Sequence, residues 1–386
     1  MSTSLSTLQI LEKLASFATV SRDSNLPMID WMRNFLADQG IESVLVPNAE
    51  GTKANLFASI GPQEEGGLVL SGHTDVVPVD GQPWSSDPFR LTARGSRLYA
   101  RGACDMKGFI AAALAHVPSW NAARLSRPVH LMFSYDEEVG CLGAPSMIAA
   151  AQSRLPRPNA VIVGEPTGMR IATQHKGICR LRTSITGIEA HSSLTHQGVS
   201  AVMLSGELIA HLSAVAAELA TDTQSRVQDF EPPYTSLSVN RIAGGTADNI
   251  LAGHCEFMWE IRALPGQSPS SIIDGLTRFS QARLAALASA GKICAMQTAI
   301  QAQAPPLKSD DGPAYLLARN AAADEACAVA APFATEAGQF QSAGWSTVVC
   351  GPGSIEQAHK ADEFVEQSEL LACEKFLARA VRLQCE

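Results

Sequence analysis

A histidine and an aspartate stand two residues apart in Ser71-Gly72-His73-Thr74-Asp75, just after the apolar run Gly67-Leu68-Val69-Leu70. Side chains at i and i+2 of a strand share a face. An imidazole and a carboxylate on one face suit a metal ligand and the carboxylate that orients it. Alone, a His-x-Asp at a strand end is more often a plain turn. Four further turns change that reading. Asp105 follows Arg101-Gly102-Ala103-Cys104 on a Gly-flanked turn before a predicted helix. Asp136-Glu137-Glu138 follows a predicted strand over 129–134, and Glu165-Pro166 follows another over 160–163. His359 lies in the loop from Gly351 to Phe364. Open α/β sheets bind ligands at the carboxyl ends of their strands. Three of these turns leave strands in that way, and the other two could meet them there.

Two histidines and several carboxylates suit borderline divalent cations such as zinc or cobalt. Five ligands with one carboxylate shared would serve two metals, which activate water at neutral pH and polarise a carbonyl. Ligation by nitrogen and oxygen without thiolate points to a catalytic site. Adjacent side chains on a turn can diverge, so Glu137 and Glu138 can divide between metal and water. A free carboxylate beside an activated water is the natural general base. An isolated Glu-Glu pair would read as a solvated acidic patch; the companion turns argue otherwise.

The elements that must position these residues come in two grammars. The first part alternates helix and strand. Helical periods run over 8–17 and from Ile29 toward Gly40, with strands over 43–46, 55–60 and 68–70. Helix 108–117 and strands 129–134 and 160–163 follow. This predicts an α/β domain, a central sheet covered by helices on both faces. From about residue 177 the order becomes β-α-β-β-α-β: strand 179–186, helix 199–219, strands 236–242 and 255–264, helix 270–290 and strand 293–300. That is a ferredoxin-like module. A helix over 313–323, a strand over 347–350 and a helix over 368–383 return to the α/β pattern. The expected division is a discontinuous catalytic domain, 1–177 with 303–386, and an inserted domain, 178–302.

Composition narrows the function classes. The 386-residue chain carries a net charge of −9 and no Lys/Arg cluster, so neither nucleic acid nor an anionic membrane surface is expected as a partner. No apolar run is expected to approach the roughly 20 residues of a membrane helix. The start, Met1-Ser2-Thr3-Ser4-Leu5, lacks the basic and apolar regions of a signal peptide. The nine cysteines are odd in number and scattered, without Cys-x-x-Cys. They read as packing residues, Cys104 included, in a reducing, cytoplasmic compartment.

The stretches Ser71–Pro78, Arg101–Gly108, Asp136–Glu138 and Gly164–Pro166 resemble the signatures of the dinuclear-zinc aminoacylase/carboxypeptidase family of deacetylases and desuccinylases. The likeness spans nearly the whole chain. It implies a zinc-exopeptidase-like catalytic domain whose insert serves as lid or dimerisation domain. It also implies two zinc or cobalt ions, a small-molecule N-acyl amino acid substrate and a homodimer. By motif, Asp105 would bridge the metals. His73 and Glu165 would complete one site, Glu138 and His359 the other. Asp75 would hold the His73 ring, and Glu137 would be the general base. His191, in Ala190-His191-Ser192-Ser193, looks like an oxyanion stabiliser. Asn249 and Arg262 look like contacts to the substrate's amide and carboxylate, and Glu336 is a candidate for its amine. The rivals are the same chemistry on another substrate (succinyl-diaminopimelate, acetylcitrulline or a general acyl-amino acid), a ligand-binding protein that has lost catalysis, and a dimeric scaffold.

Overall fold

The computed structural model describes residues 5–309, 311–322 and 328–385. The chain opens with α1 (Thr7–Ala15) and α2 (Leu26–Ala37). Ser6 and Gln9 cap α1 reciprocally, a device worth about 1 kcal/mol. Then come β1 (Ser43–Pro47), β2 (Ala54–Ile60), β3 (Leu68–His73), β4 (Thr92–Arg94), β5 (Arg97–Tyr99) and α3 (Lys107–Ala122). They are followed by β6 (Val129–Ser134), α4 (Ala144–Gln152), β7 (Ala160–Pro166) and β8 (Ala172–His175). The next stretch runs β9 (Gly177–Thr186), α5 (Ala201–Thr221), β10 (Ser236–Gly244), β11 (His254–Ala263), α6 (Ser270–Ser289) and β12 (Ala295–Ala304). The chain closes with α7 (Pro313–Ala321), β13 (Val329–Ala331), α8 (Ala337–Ser342), β14 (Thr347–Gly351), β15 (Phe364–Glu366) and α9 (Gln367–Cys385). The expected helix over 313–323 thus stops at Ala321, and its last residue lies outside the described ones. The eight described cysteines are free thiols; Cys327 lies outside the described residues.

Contacts divide the chain into Met1–His175 with Leu307–Glu386, and Lys176–Pro306. In the first unit an eight-stranded sheet runs β1-β2-β6-β3-β7-β14-β8-β13. Its central strands β6, β3, β7 and β14 are parallel to one another and buried along their whole length. Burial on both faces is what a parallel sheet under two helical layers demands. Alternate residues serve opposite layers: Leu68, Leu70 and Ile162 pack with α1, α2, α3, α7 and α9, whereas Val69, Val161 and Val163 pack with α4 and α8.

His130 of β6 is a packing residue with a measurable signature. It is fully buried, its Nδ1 lies 2.7 Å from Ser59 Oγ, and its Nε2 has no partner among the described residues. Burial pushes its pKa down to about 4. In the unfolded chain it titrates near 6.5. Between those values the unfolded chain binds the extra proton, so stability falls as pH drops from neutrality. By linkage, about 2 kcal/mol of the loss between pH 7 and pH 5 belongs to this ring. Urea unfolding of metal-free His130→Leu should show a loss smaller by that amount. Equal losses in both proteins would reject the assignment.

The second unit is β-α-β-β-α-β with sheet order β10-β11-β9-β12, all neighbours antiparallel. Strand β11 alternates, with Cys255, Phe257, Trp259 and Ile261 in the core. Leu204, Leu208 and Leu212 of α5 pack on that face. One sequence expectation is corrected here. The 21-residue α5 has a mean hydropathy of 1.4 and, by length and composition alone, could cross a membrane. Its alanines raise the hydropathy without forming a long run of large apolar residues. A turn-spaced leucine stripe, and the Glu207 carboxylate accepting two hydrogen bonds from Arg283 of α6 at 2.6 and 3.0 Å, tie the helix into its own unit.

Candidate metal centre

The strand register alone brings the first ligands together. Ser71 lies beside Val163, and His73 beside Ser134. Two residues further along β7, Glu165 therefore neighbours His73 at the carboxyl rim of the sheet. Glu165 belongs to β7 itself rather than to a following turn. Helix α3 brings Asp105 to the same rim. A Cβ on Gly164 would lie 1.9 Å from the Phe109 ring, so only glycine lets the first turn of α3 rest on β7. Lys107, fully buried, anchors that turn by donating to Phe17 O at 2.8 Å. His359 comes from the loop after β14 and has a positive φ of 64°.

The donor atoms converge in two groups. His73 Nε2 lies 3.0 Å from Asp105 Oδ1 and 3.7 Å from Glu165 Oε1. His359 Nε2 lies 2.9 Å from Glu138 Oε2 and 3.3 Å from Asp105 Oδ2. Asp105 thus presents one oxygen to each group. Ligands held at about 2.0–2.1 Å around a tetrahedral cation sit roughly 3.3 Å apart, which is the spacing seen.

Three observations test whether a cation fits. Glu165 Oε1 is buried with no hydrogen-bond partner among the described residues, so it lacks what a buried carboxylate needs. His73 Nδ1 lies 2.8 Å from the main-chain carbonyl of Asp75. A carbonyl only accepts, so Nδ1 carries a proton and Nε2 is the ring nitrogen left to face a cation. Third, the cluster holds more negative charge than its own residues balance. Burial and neighbouring carboxylates push Glu138 up to about 7 and Glu165 well above its usual range. Hydrogen bonds to Asp105 and Glu138 hold His359 at about 10. Protons balance part of that charge, and binding of divalent cations would release them. The donor set therefore fits two divalent cations.

Asp75 is placed differently from expectation. Its carboxylate is 3.7 Å from His73 Nδ1, too long for a hydrogen bond. It accepts instead from the amides of Glu137 at 3.1 Å and Glu138 at 3.3 Å, and from Ser21 Oγ at 2.7 Å. Strand β3 ends at His73, so the i, i+2 alternation no longer applies. Asp75 orients the ring through its carbonyl and holds the Glu137–Glu138 turn through its carboxylate. Lys53, paired with Asp136 at 2.5 Å, braces the other side of that turn. Glu137 brings a carboxylate oxygen within 4.8 Å of the donor atoms of His73 and Glu165. Cys141 Sγ donates to its Oε1 at 3.1 Å, and burial pushes it up to about 8.

Peptidase family M20/M25/M40 matches residues 69–383. The chain belongs to that family. An acetylornithine deacetylase of Myxococcus xanthus is 35% identical over 385 residues, covering 97% of this chain and 96% of the relative. Another, from Pasteurella multocida, is 33% identical over 396 residues, covering 98% of each. An M20 family metallo-carboxypeptidase from Sulfolobus solfataricus has the same fold, with TM-score 0.78 at 17% identity, covering 98% and 99% of the two chains. A Bacillus subtilis protein described as a dinuclear metal binding M20 peptidase gives 0.66 at 16%, covering 98% and 97%.

The remaining expected site residues of this M20 chain divide by location. His191 and Asn249 are brought together: His191 bridges to Ile250, and Ser192 N donates to Asn249 O at 2.9 Å. The Ser193 amide donates to His191 Nδ1 at 3.2 Å. In the neutral ring Nε2 therefore carries the proton and is a ready donor. Arg262 lies at the other end of β11, its Nε 3.1 Å from Glu260 Oε1. Thr186 pairs with His254 at one end of the sheet and Ile178 with Arg262 at the other. Eight residues of strand separate the two ends by about 26 Å.

Glu336 is a correction. It is 1% exposed, and its two oxygens accept from Ser71 Oγ and Ser134 Oγ, both at 2.6 Å. It joins β3 and β6 inside the fold, buried and with both oxygens engaged by serines. Sequence reasoning also missed the second row of polar residues: Gln82, Arg101, Cys141 and Glu363. Arg101 lies within a quoted motif, and Glu363 follows His359 by four residues.

Proposed function

We propose that this chain hydrolyses the amide of an N-acyl amino acid, with N2-acetyl-L-ornithine as substrate and L-ornithine and acetate as products, in cytoplasmic arginine biosynthesis. One observation carries the chemistry: five nitrogen and oxygen ligands converge at the sheet rim, with a sixth carboxylate, Glu137, within 4.8 Å of the His73 and Glu165 donor atoms. The acetylornithine deacetylase relatives support the choice of substrate.

His73, Glu165 and Asp105 would hold one zinc or cobalt ion, and Asp105, Glu138 and His359 the other. Such ions supply Lewis acidity, polarising the acyl carbonyl and acidifying water. Glu137 takes the proton of the attacking water on its free carboxylate oxygen. It returns that proton to the amine nitrogen as the C–N bond breaks. His191 Nε2–H donates to the oxyanion of the tetrahedral intermediate. Arg262 binds the substrate's α-carboxylate through its planar fork. The distance between His191 and Arg262 along one sheet exceeds any acyl-amino acid. A homodimer resolves this: Arg262 serves its own chain's substrate, and the partner subunit's His191 completes the site.

The test is a panel of N-acyl amino acids offered to metal-free protein and to protein reloaded with zinc or cobalt. Chelation should abolish turnover and reloading should restore it, with the highest kcat/KM on acetylornithine. Turnover by verified metal-free protein would reject the two-metal chemistry. A higher kcat/KM on succinyl-diaminopimelate or acetylcitrulline would reject the substrate.

A further inference from the structure

A single buried guanidinium stands behind two of the ligand-bearing segments. Arg101 is 1% exposed. Its Nη1 donates to Glu363 Oε2 at 2.6 Å and to Lys360 O at 3.3 Å. Its Nη2 donates to Gln82 Oε1 at 2.6 Å. Each partner leads on to a ligand. Glu363, also 1% exposed, accepts through Oε1 from the amides of Cys104 at 2.9 Å and Asp105 at 3.1 Å. Gln82 donates through Nε2 to the carbonyl of His359 at 2.9 Å. The backbones of Asp105 and His359 therefore hang on one arginine, and they are ligands of the same proposed cation.

The two cation groups differ in what fixes them. His73 and Glu165 lie on β3 and β7, whose ladder hydrogen bonds set their positions. His359 lies on an irregular loop in a left-handed conformation, with its side chain 52% exposed. Something outside the loop must hold it, and the Gln82–Arg101–Glu363 chain reaches it at the residue itself. Outer partners that orient metal ligands typically change affinity 10- to 100-fold when removed.

We propose that Gln82, held by Arg101 and donating to the His359 carbonyl, is a positioning residue that sets the affinity of the cation site at Glu138 and His359 selectively over the site at His73 and Glu165, while Glu363 holds Asp105, which serves both. The inference rests on the two-metal reading above. It predicts two sites that can be uncoupled by a residue that touches neither cation.

Gln82 is the residue to change, because it is partly exposed and outside the core. Gln82→Leu keeps the bulk and loses the hydrogen bonds to the His359 carbonyl, from Arg101 and from Trp84 Nε1. Gln82→Glu keeps the acceptor for Arg101 but sets a carboxylate against the His359 carbonyl. Metal-free wild type and both variants are titrated with Co2+, followed by calorimetry and by the visible absorption of bound cobalt. Wild type should take up two equivalents. Both variants should bind the first equivalent within about twofold of wild type and the second about 10- to 100-fold more weakly. The melting temperature of metal-free Gln82→Glu, which keeps the acceptor for the buried Arg101, should not fall, which separates the effect from damage to the fold. If one variant fails to fold, the other still decides. Two unchanged equivalents, or two equally weakened ones, would overturn the proposal. A wild type that binds a single equivalent would overturn the two-metal reading itself, and the inference with it.

Discussion

Glu137→Gln should retain two metal ions per chain and lose at least about 10²-fold in kcat, the usual scale for removing a general base. The substitution is nearly isosteric. The turn that carries it is held by its backbone, through the Asp75 carboxylate on the amides of Glu137 and Glu138. The five proposed ligands are other side chains, so their placement survives. What is lost is the oxygen that accepts the proton of the attacking water and returns it to the amine. The metal content of the purified variant and its kcat on acetylornithine settle the matter together. Near-normal turnover with full metal would remove Glu137 from the role. Loss of metal in step with activity would mean that it is a ligand.

The parts of the fold that were legible in the sequence are those with a long or uninterrupted pattern. The apolar runs of β3, β6, β7 and β14 announce central parallel strands, and the leucine stripe of α5 announces an amphipathic helix. The unannounced elements are short, such as β8 with four residues, β13 with three and α8 with six. Such lengths span too little of a period to be recognised. Helix α4 is longer, but its alanines vary too little to show a face.

The metal centre shows the same division. Each ligand is visible because a local motif carries it, at a strand end, a helix start or, for His359, in the loop between β14 and β15. The polar groups that hold those ligands pair across the chain. Ser71 and Glu336 are 265 residues apart, and Arg101 and Glu363 are 262 apart. No local pattern distinguishes a carboxylate bound for two buried serines from one bound for a substrate's amine. That is why Glu336 reads in sequence as a ligand contact and is found as a strut. Asp75 shows a subtler limit. Its identity and position are legible, but the division of labour between its carbonyl and carboxylate depends on where β3 stops.

A mixture of two dead proteins should recover activity. On the proposed roles and dimer, His191→Ala removes the oxyanion donor and Glu137→Gln removes the base, so each variant alone should be inactive. In a heterodimer of the two, the metal centre of the His191→Ala chain keeps Glu137 and receives His191 from the partner subunit. That composite site is whole. The other site of the same heterodimer carries both defects and stays silent. Unbiased exchange makes about half of the dimers mixed, each with one working site of two, so activity should return to about a quarter of wild type. The expectation follows from distance. His191 bridges to Ile250, beyond the His254 end of β11, and Arg262 lies eight residues along that strand from His254. A single small substrate cannot bridge about 26 Å, so the two residues serve one reaction only if they come from different chains. Exchange is verified by differently tagged subunits, and the oligomeric state by sedimentation. A monomer in solution would reject the composite site. Verified heterodimers without activity would do the same, and would leave His191 acting within its own chain or not at all.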